Sequence, residues 1–318
     1  MAELGPNEEP LQERTGGSIR IRGLAWLLTV SVVLFLFRFG IFVFSSRQLE
    51  LETLPQWNDK GIGIIVTNRA WRVGRFLFTV DPSWSVSTCF LVTKTGGVLT
   101  ARHAVDRALR DRFCKIWVRF KSTPWLAARI LWLDPDQDLA ALRVNLPSRY
   151  LETVFPLALA DSDLALAPGT EVKLVGFPHA KSYVQGFRLI RQMAEHSLSY
   201  LGRWVPGRKG GSVSGGPDVE LFRGAGGAGF SGSPVLTHSG RVVGLYFGHR
   251  VAGGQEEAVV VPRDALWRAF RLIQSQGEPL DNAPRGVPLG KRTKMLGGGY
   301  RQLNHIGPYK AWDGSISE

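Results

Sequence analysis

Sulfur is scarce in this 318-residue chain, which has two cysteines, Cys89 and Cys114, and three methionines. Neither cysteine has a CxxC partner or a histidine cluster beside it, which excludes a thiolate metal site and leaves no cofactor to expect. One disulfide in an oxidising compartment and two separate buried thiols are both open. No run of five Lys or Arg occurs, although the net charge is +12. Scattered basic charge suits solubility or an anionic membrane surface better than nucleic acid, for which no motif is present. Long apolar stretches are also missing beyond residue 60. The apolar runs there are short and broken by Gly, Pro, Asp and Asn, which excludes βαβ units and predicts an all-β sandwich or barrel.

One long hydrophobic run does occur, at residues 23–44 (GLAWLLTVSVVLFLFRFGIFVF). It is about long enough to cross a bilayer, and Arg38 lies close enough to its end to reach the interface. Arg14, Arg20 and Arg22 precede it and only Arg47 follows closely. The positive-inside bias puts residues 1–22 in the cytoplasm and the remainder across the membrane. A cleaved signal peptide is less favoured, because Phe42, Val43 and Phe44 stand where small residues are needed. Residues 45–60, polar and holding Pro55, read as a linker. Residues 61–275 read as the folded domain and 276–318 as a loosely ordered tail. Within the domain, strands are expected over runs such as 61–67, 97–100, 115–120, 139–144, 172–176, 233–237 and 241–246. Gly, Ser and Pro at 205–228 read as a long loop. Leu266, Ala269, Phe270, Leu272 and Ile273 recur at helical spacing and predict a closing helix.

Three segments carry candidate chemistry. Gly97-Val98-Leu99-Thr100-Ala101-Arg102-His103 ends an apolar run at a small-residue turn presenting His103, whose ordinary pKa suits a general base. Asp138 immediately precedes the apolar Leu139-Ala140-Ala141-Leu142. A carboxylate carried inside with that strand needs a donor, and an imidazole N–H is a good one. Asp134 and Asp136 read as surface acids of the preceding turn. In Gly229-Phe230-Ser231-Gly232-Ser233-Pro234, a tight turn can expose the Ser231 hydroxyl. The same turn can aim the N–H groups of Gly229 and Ser231 at one point as an oxyanion hole.

In this order the segments resemble the trypsin-like serine peptidases, and specifically their high-temperature-requirement (HtrA/Deg-like) branch. The His103 turn is similar to that family's T-x-x-H motif, Asp138-Leu139-Ala140 to its D-L-A motif, and residues 229–234 to its G-N-S-G-G-P motif. Leu157 to Asp163, Pro168 to Val172 and Gly176-Phe177-Pro178 resemble its entry into a second barrel, and Glu257 to Pro262 the strand before its closing helix. The resemblance covers about residues 75–275. It implies two six-stranded antiparallel barrels, all-β with a C-terminal helix, preceded here by one N-terminal transmembrane helix. It further implies a catalytic triad of His103, Asp138 and Ser231 acting on protein or peptide substrates, with the domain in a bacterial periplasm. The family's PDZ domain is not implied, since residues 276–318 are too short for one. Oligomeric state is left open.

Two positions depart from the pattern. Phe230 stands where the family has Asn or Asp, so activation by a freed N-terminus pairing with an acid is not expected. Ser233 replaces a glycine at little expected cost. Ala225, six residues before Ser231, is expected at the floor of a substrate pocket walled by Tyr246, Phe247 and Gly248, favouring cleavage after small or medium apolar residues. The other class of function left open is a catalytically inactive barrel used as a binding or scaffold module. An α/β-hydrolase is excluded because the serine comes last in chain order.

Overall fold

A computed structural model describes residues 26–35, 48–57, 60–68, 70–73, 76–79, 86–134, 136–185, 188–204 and 218–276. The chain divides into two units, Met1–Ser46 and Arg47–Glu318. In the first, residues 26–35 form a helix, α1, with Trp26, Leu27, Leu28 and Phe35 exposed. Among the described residues no helix is long and apolar enough to cross a membrane. The remainder of the expected anchor, the expected cytoplasmic segment 1–22, residues 205–217 of the expected loop and residues 277–318 of the expected tail lie outside the described residues.

The second unit is built on two closed six-stranded barrels. The first is closed in the order β2 (Ile62–Asn68), β5 (Val86–Leu91), β6 (Gly97–Thr100), β9 (Ala140–Val144), β8 (Leu126–Leu133), β7 (Lys115–Phe120). All its described strand pairs are antiparallel, and β2 seals the ring by pairing Gly63 to Asn68 with β7. All residues of β2, β5, β6 and β9 are buried. Burial without alternation is what a strand covered on both faces shows, although β2, β5 and β9 carry Thr67, Asn68, Ser87, Thr88 and Arg143 inside. Ile65, Cys89, Val98, Val118, Phe120 and Leu142 fill the interior.

The second barrel runs β10 (Glu171–Gly176), β13 (Ala194–Trp204), β14 (Val219–Arg223), β17 (Gln255–Pro262), β16 (Val242–Ala252), β15 (Ser233–Leu236). Val172, Leu174, Leu198, Phe222, Val235 and Val260 fill it. A third cluster joins Leu99, Val175, Phe177, Leu245, Leu266 and Ile273, so it draws on both barrels and on the closing helix α3 (Arg263–Ser275). That helix buries Ala265, Leu266, Ala269 and Ile273; three of these belong to the expected stripe, whose Phe270 and Leu272 are half-buried. Arg143, buried in β9, donates from Nη2 to the carbonyls of Ile273 (3.0 Å) and Gln276 (3.4 Å), satisfying the helix C-terminus.

Two expectations need correction. The segment read as a linker contributes β1 (Gln48–Glu52), which pairs in parallel with β12 (Arg188–Gln192) in a three-stranded sheet completed by β11 (Ser182–Gln185). Leu49, Leu51 and Trp57 are buried there, and Trp57 Nε1 donates to Glu195 at 2.9 Å. Three apolar side chains spaced among polar ones were enough to dock it. Inside the expected loop 205–228, Val219–Arg223 is a full barrel strand, because Leu221 and Phe222 are buried between β13 and β17. A two-stranded hairpin, β3 (Ala70–Val73) with β4 (Phe76–Thr79), also joins the first barrel's β2 to β5. Cys89 and Cys114 are both buried thiols, neither in a disulfide, and Cys114 Sγ donates to Asp111 Oδ2 at 3.5 Å.

Glu220 in β14 is an energetic liability. Its Oε2 is buried and has no hydrogen-bond partner among the described residues. Burial pushes its carboxyl up to about 7, against the opposing pull of Arg263 and Arg203. Between the ordinary carboxylate value and about 7 the native state holds a proton that the unfolded chain has released. Stability therefore falls as pH rises through that window. Glu220→Gln is expected to stabilise the fold above pH 7 by up to ~3 kcal/mol, seen as a higher melting temperature there, and to change little near pH 4. Melting curves at the two pH values check this, and an equal effect at both would contradict it.

Candidate active site

His103 sits in a short 3-10 turn, Arg102–Ala104, entered directly from β6. The Arg102 N–H donates to the Asp138 carbonyl (3.2 Å), so the turn is tied to the segment leading into β9. Asp138 uses both carboxylate oxygens on one residue. Oδ1 accepts the His103 backbone N–H (2.9 Å) and Oδ2 lies 2.5 Å from His103 Nδ1. With Nδ1 facing a carboxylate, the proton belongs on Nδ1 and Nε2 is left as the basic nitrogen. The imidazole is about one-third exposed (32%) and the carboxylate 12%. Burial alone would lower the His103 pKa. The hydrogen bond and charge of Asp138, with the charge of Asp106, outweigh it and hold the imidazole above its ordinary value.

Ser231 comes from the other barrel, in the turn before β15. Two glycines make this turn possible. Gly229 has φ +96°, and a Cβ there would stand 2.6 Å from His179 Cδ2 and 2.7 Å from the Phe177 carbonyl. Gly232 has φ +85°, and its Cβ would stand 2.1 Å from the Thr88 carbonyl and 3.1 Å from Ala101 N. Only glycine fits such positions. The second contact also locates the turn, since Gly232 lies against the residue two before His103.

Cross-barrel bonds hold it there. Thr88 N donates to the Ser231 carbonyl (2.9 Å), Thr88 Oγ1 donates to the Gly229 carbonyl (2.9 Å), and Thr88 Oγ1 accepts from Phe177 N (3.0 Å). Among the described residues no hydrogen bond joins the Ser231 hydroxyl to His103, so the structure brings the Ser231 turn to the His103 turn but does not close that contact. Apo geometry of this kind often tightens only when substrate arrives.

The Ala228 carbonyl accepts the His179 backbone N–H at 2.7 Å. All described peptides are trans, so the Gly229 N–H must face away from His179. Neither it nor the Ser231 N–H meets a protein acceptor among the described residues. Two unspent donors on one turn are what an oxyanion site requires. Among the described residues no group of three or more His, Cys, Asp or Glu is placed to hold a metal ion.

One of the expected pocket residues is placed differently. Tyr246 is not an open wall. It is 2% exposed, and its hydroxyl donates to the Gly226 carbonyl at 2.7 Å. Burial raises the phenol far above its ordinary value. Its ring meets Phe230 edge-on, centroids 6.4 Å apart, and Phe230 also meets His196 at 4.9 Å. Phe230 is fully buried in the second barrel, so an aromatic peg fills the place where the family carries a polar residue. Ala225, Phe247 and Gly248 are partly exposed. Ser233 is fully buried with its hydroxyl unpartnered among the described residues, a cost of about 1–3 kcal/mol that its sequence context did not suggest.

Thr88 and His179 are site residues that motif reading missed. Thr88 is one of two polar residues, with Ser87, in the wholly buried strand Val86–Leu91, and that mismatch is the signal that marked it. His179 Nε2 lies 2.9 Å from the Val86 carbonyl, a contact across 93 residues that no local pattern announces.

Two closed barrels, with a His–Asp pair on one and a glycine-bounded serine turn on the other, define the double-barrel serine peptidase class. Residues 87–245 match the trypsin-like peptidase domain family, half of the chain, and the chain belongs to that family. It is 28% identical over 162 residues to Protease Do-like 5, chloroplastic, of Arabidopsis thaliana, a match covering 49% of this chain. The match spans 46% of that relative, less than half its length. Similar solved structures include the active form of the Rv3671c protease from M. tuberculosis, 19% identical with a TM-score of 0.48, covering 73% of this chain and 86% of that one. An HtrA-type protease, AlgW, with a tripeptide is 15% identical with a TM-score of 0.48, covering 70% of this chain and 63% of that one.

The sign of the His103 shift is testable. The stabilisation from its pairing is fully present below the ordinary imidazole value and is lost as pH rises through the raised folded one. NMR titration of histidine-labelled protein should show His103 titrating above free imidazole, and Asp138→Asn should bring it down. A His103 midpoint unmoved by Asp138→Asn would show that the carboxylate does not govern it.

Proposed function

We propose that this protein is a membrane-anchored serine endopeptidase. Ser231 is the nucleophile and His103 the general base that takes its proton and returns it to the leaving amine. Asp138 orients the imidazole and stabilises the imidazolium. The Gly229 and Ser231 N–H groups receive the tetrahedral oxyanion, each such donor being worth about 3–4 kcal/mol of barrier. The observation that carries the reading is the doubly engaged His103–Asp138 pair facing a turn with two unspent N–H donors.

Residues 23–44 are the anchor, residues 1–22 lie in the cytoplasm, and the protease works on the far side, in a bacterial periplasm, on protein or peptide substrates. The length of the apolar run and the arginines before it support this part of the reading. Labelling of the purified chain by a fluorophosphonate probe tests the chemistry. Ser231→Ala should abolish it and His103→Ala should slow it by at least about 10^4-fold. A folded chain that fails to label would instead favour the inactive scaffold.

The preference is for small residues before the scissile bond. Tyr246 starts beside the nucleophile turn, where its carbonyl accepts the Gly232 N–H (2.7 Å), and crosses to Gly226. Its buried ring fills volume behind the turn that a large side chain would need. On a peptide library, cleavage should follow Ala, Ser or Val, and Tyr246→Val should extend it to Leu and Phe. Dominant cleavage by the native chain after bulky or basic residues would refute this.

A further inference from the structure

We propose that Asp134 and Arg268 are positioning residues for the triad, so that the closing helix α3 is a working part of the active site. This rests on the catalytic reading of His103 and Asp138. Asp134, expected as a surface acid of the turn, is 1% exposed. Its Oδ1 accepts the N–H groups of Asp136 (2.9 Å) and Gln137 (3.1 Å), and its own N–H donates to the Leu139 carbonyl (3.0 Å). These bonds wrap the chain on both sides of Asp138 and leave that carboxylate little freedom in direction. Asp134 also reaches the histidine side, since its carbonyl accepts Arg102 Nη1 at 3.4 Å.

The remaining oxygen of Asp134 is held from α3, where Arg268 Nη2 donates to Oδ2 at 3.2 Å. A buried carboxylate with its cation removed is costly, and the local bonds it organises loosen with it. Arg268 is itself steered by Asp264 one turn earlier (3.6 Å), and Asp264 by Arg203 of β13 (3.3 Å). Arg203 pairs with Asp218 (3.1 Å), and the Asp218 carbonyl accepts Gln137 Nε2 at 3.1 Å. The contacts therefore close a ring. From the Asp138 loop of the first barrel it runs to the second barrel, to the helix, and back to Asp134. One side is fixed by a buried backbone-capping carboxylate and the other by ion pairs that are half-exposed. The exposed side contributes little alone and matters by fixing Arg268.

Two readouts on the full-length protein test this, one of which does not depend on activity. The first is the His103 titration followed by NMR in histidine-labelled chain, where six histidines keep assignment tractable. The second is the pH dependence of fluorophosphonate labelling. Arg268→Gln should lower the His103 midpoint toward that of Asp138→Asn, move the acid limb of labelling to lower pH and slow labelling about tenfold. Arg268→Lys, which keeps a cation, should restore most of the rate. Asp134→Asn should act in the same direction, with melting curves reporting any loss of fold. An unmoved His103 midpoint in Arg268→Gln, or a rate loss that merely tracks a lower melting temperature, would overturn the proposal. If the native chain does not label at all, the catalytic reading fails, while the NMR midpoints still decide whether Arg268 positions the pair.

Discussion

A single carboxylate, Asp138, grips one histidine twice, by its backbone N–H and by its ring. Geometry elsewhere in the domain is arranged around keeping that grip. The first barrel supplies both residues from adjacent ends of paired strands, β6 and β9, which meet at Thr100 and Ala140. Barrel closure thus fixes the histidine relative to the acid before any polar contact is made. The polar contacts then set the direction of the carboxylate and the tautomer of the ring. What barrel closure cannot do is bring the serine, which arrives from the other barrel. Thr88 supplies that link with three hydrogen bonds from one buried residue.

The serine turn is stabilised from below by aromatic packing, not by charge. Phe230, Tyr246 and His196 meet edge-on, and the Gly226 carbonyl takes the Tyr246 hydroxyl. An arrangement of this kind needs no partner released by cleavage of the chain and is insensitive to salt, since apolar burial and ring contacts carry it. The same packing consumes volume next to Ser231. Turn order and free space are therefore not independent here: the residues that hold the Ser231 turn also fill the volume beside it.

Much of the first barrel and the turns that present His103, Asp138 and Ser231 were legible because each was encoded locally. An uninterrupted apolar run marks a strand buried on both faces, and a small-residue turn marks where His103 or Ser231 is presented. Features set by distant partners were not legible. Asp134 reads as a surface acid until Arg268, 134 residues away, covers it. Tyr246 reads as a pocket wall until Gly226 and Phe230 turn it inward. β13 escaped notice because only Ala194 and Leu198 of its eleven residues are buried, which leaves a polar-looking sequence. Val219–Arg223 was hidden by the glycines and prolines around it, and Gln48–Glu52 by its charged neighbours.

The parallel pairing of β1 with β12 has a mechanical side. The chain enters β1 at Gln48, whereas β12 hands over to the second barrel at its far end, through Met193 into β13. A pull on the N-terminal side therefore draws the two strands past each other along their length. All the ladder bonds between Gln48 and Glu52 then share the load at once, with no end from which they can be peeled one by one. A tether attached this way resists tension as a lap joint does, and force along the chain meets the side sheet before it can reach either barrel.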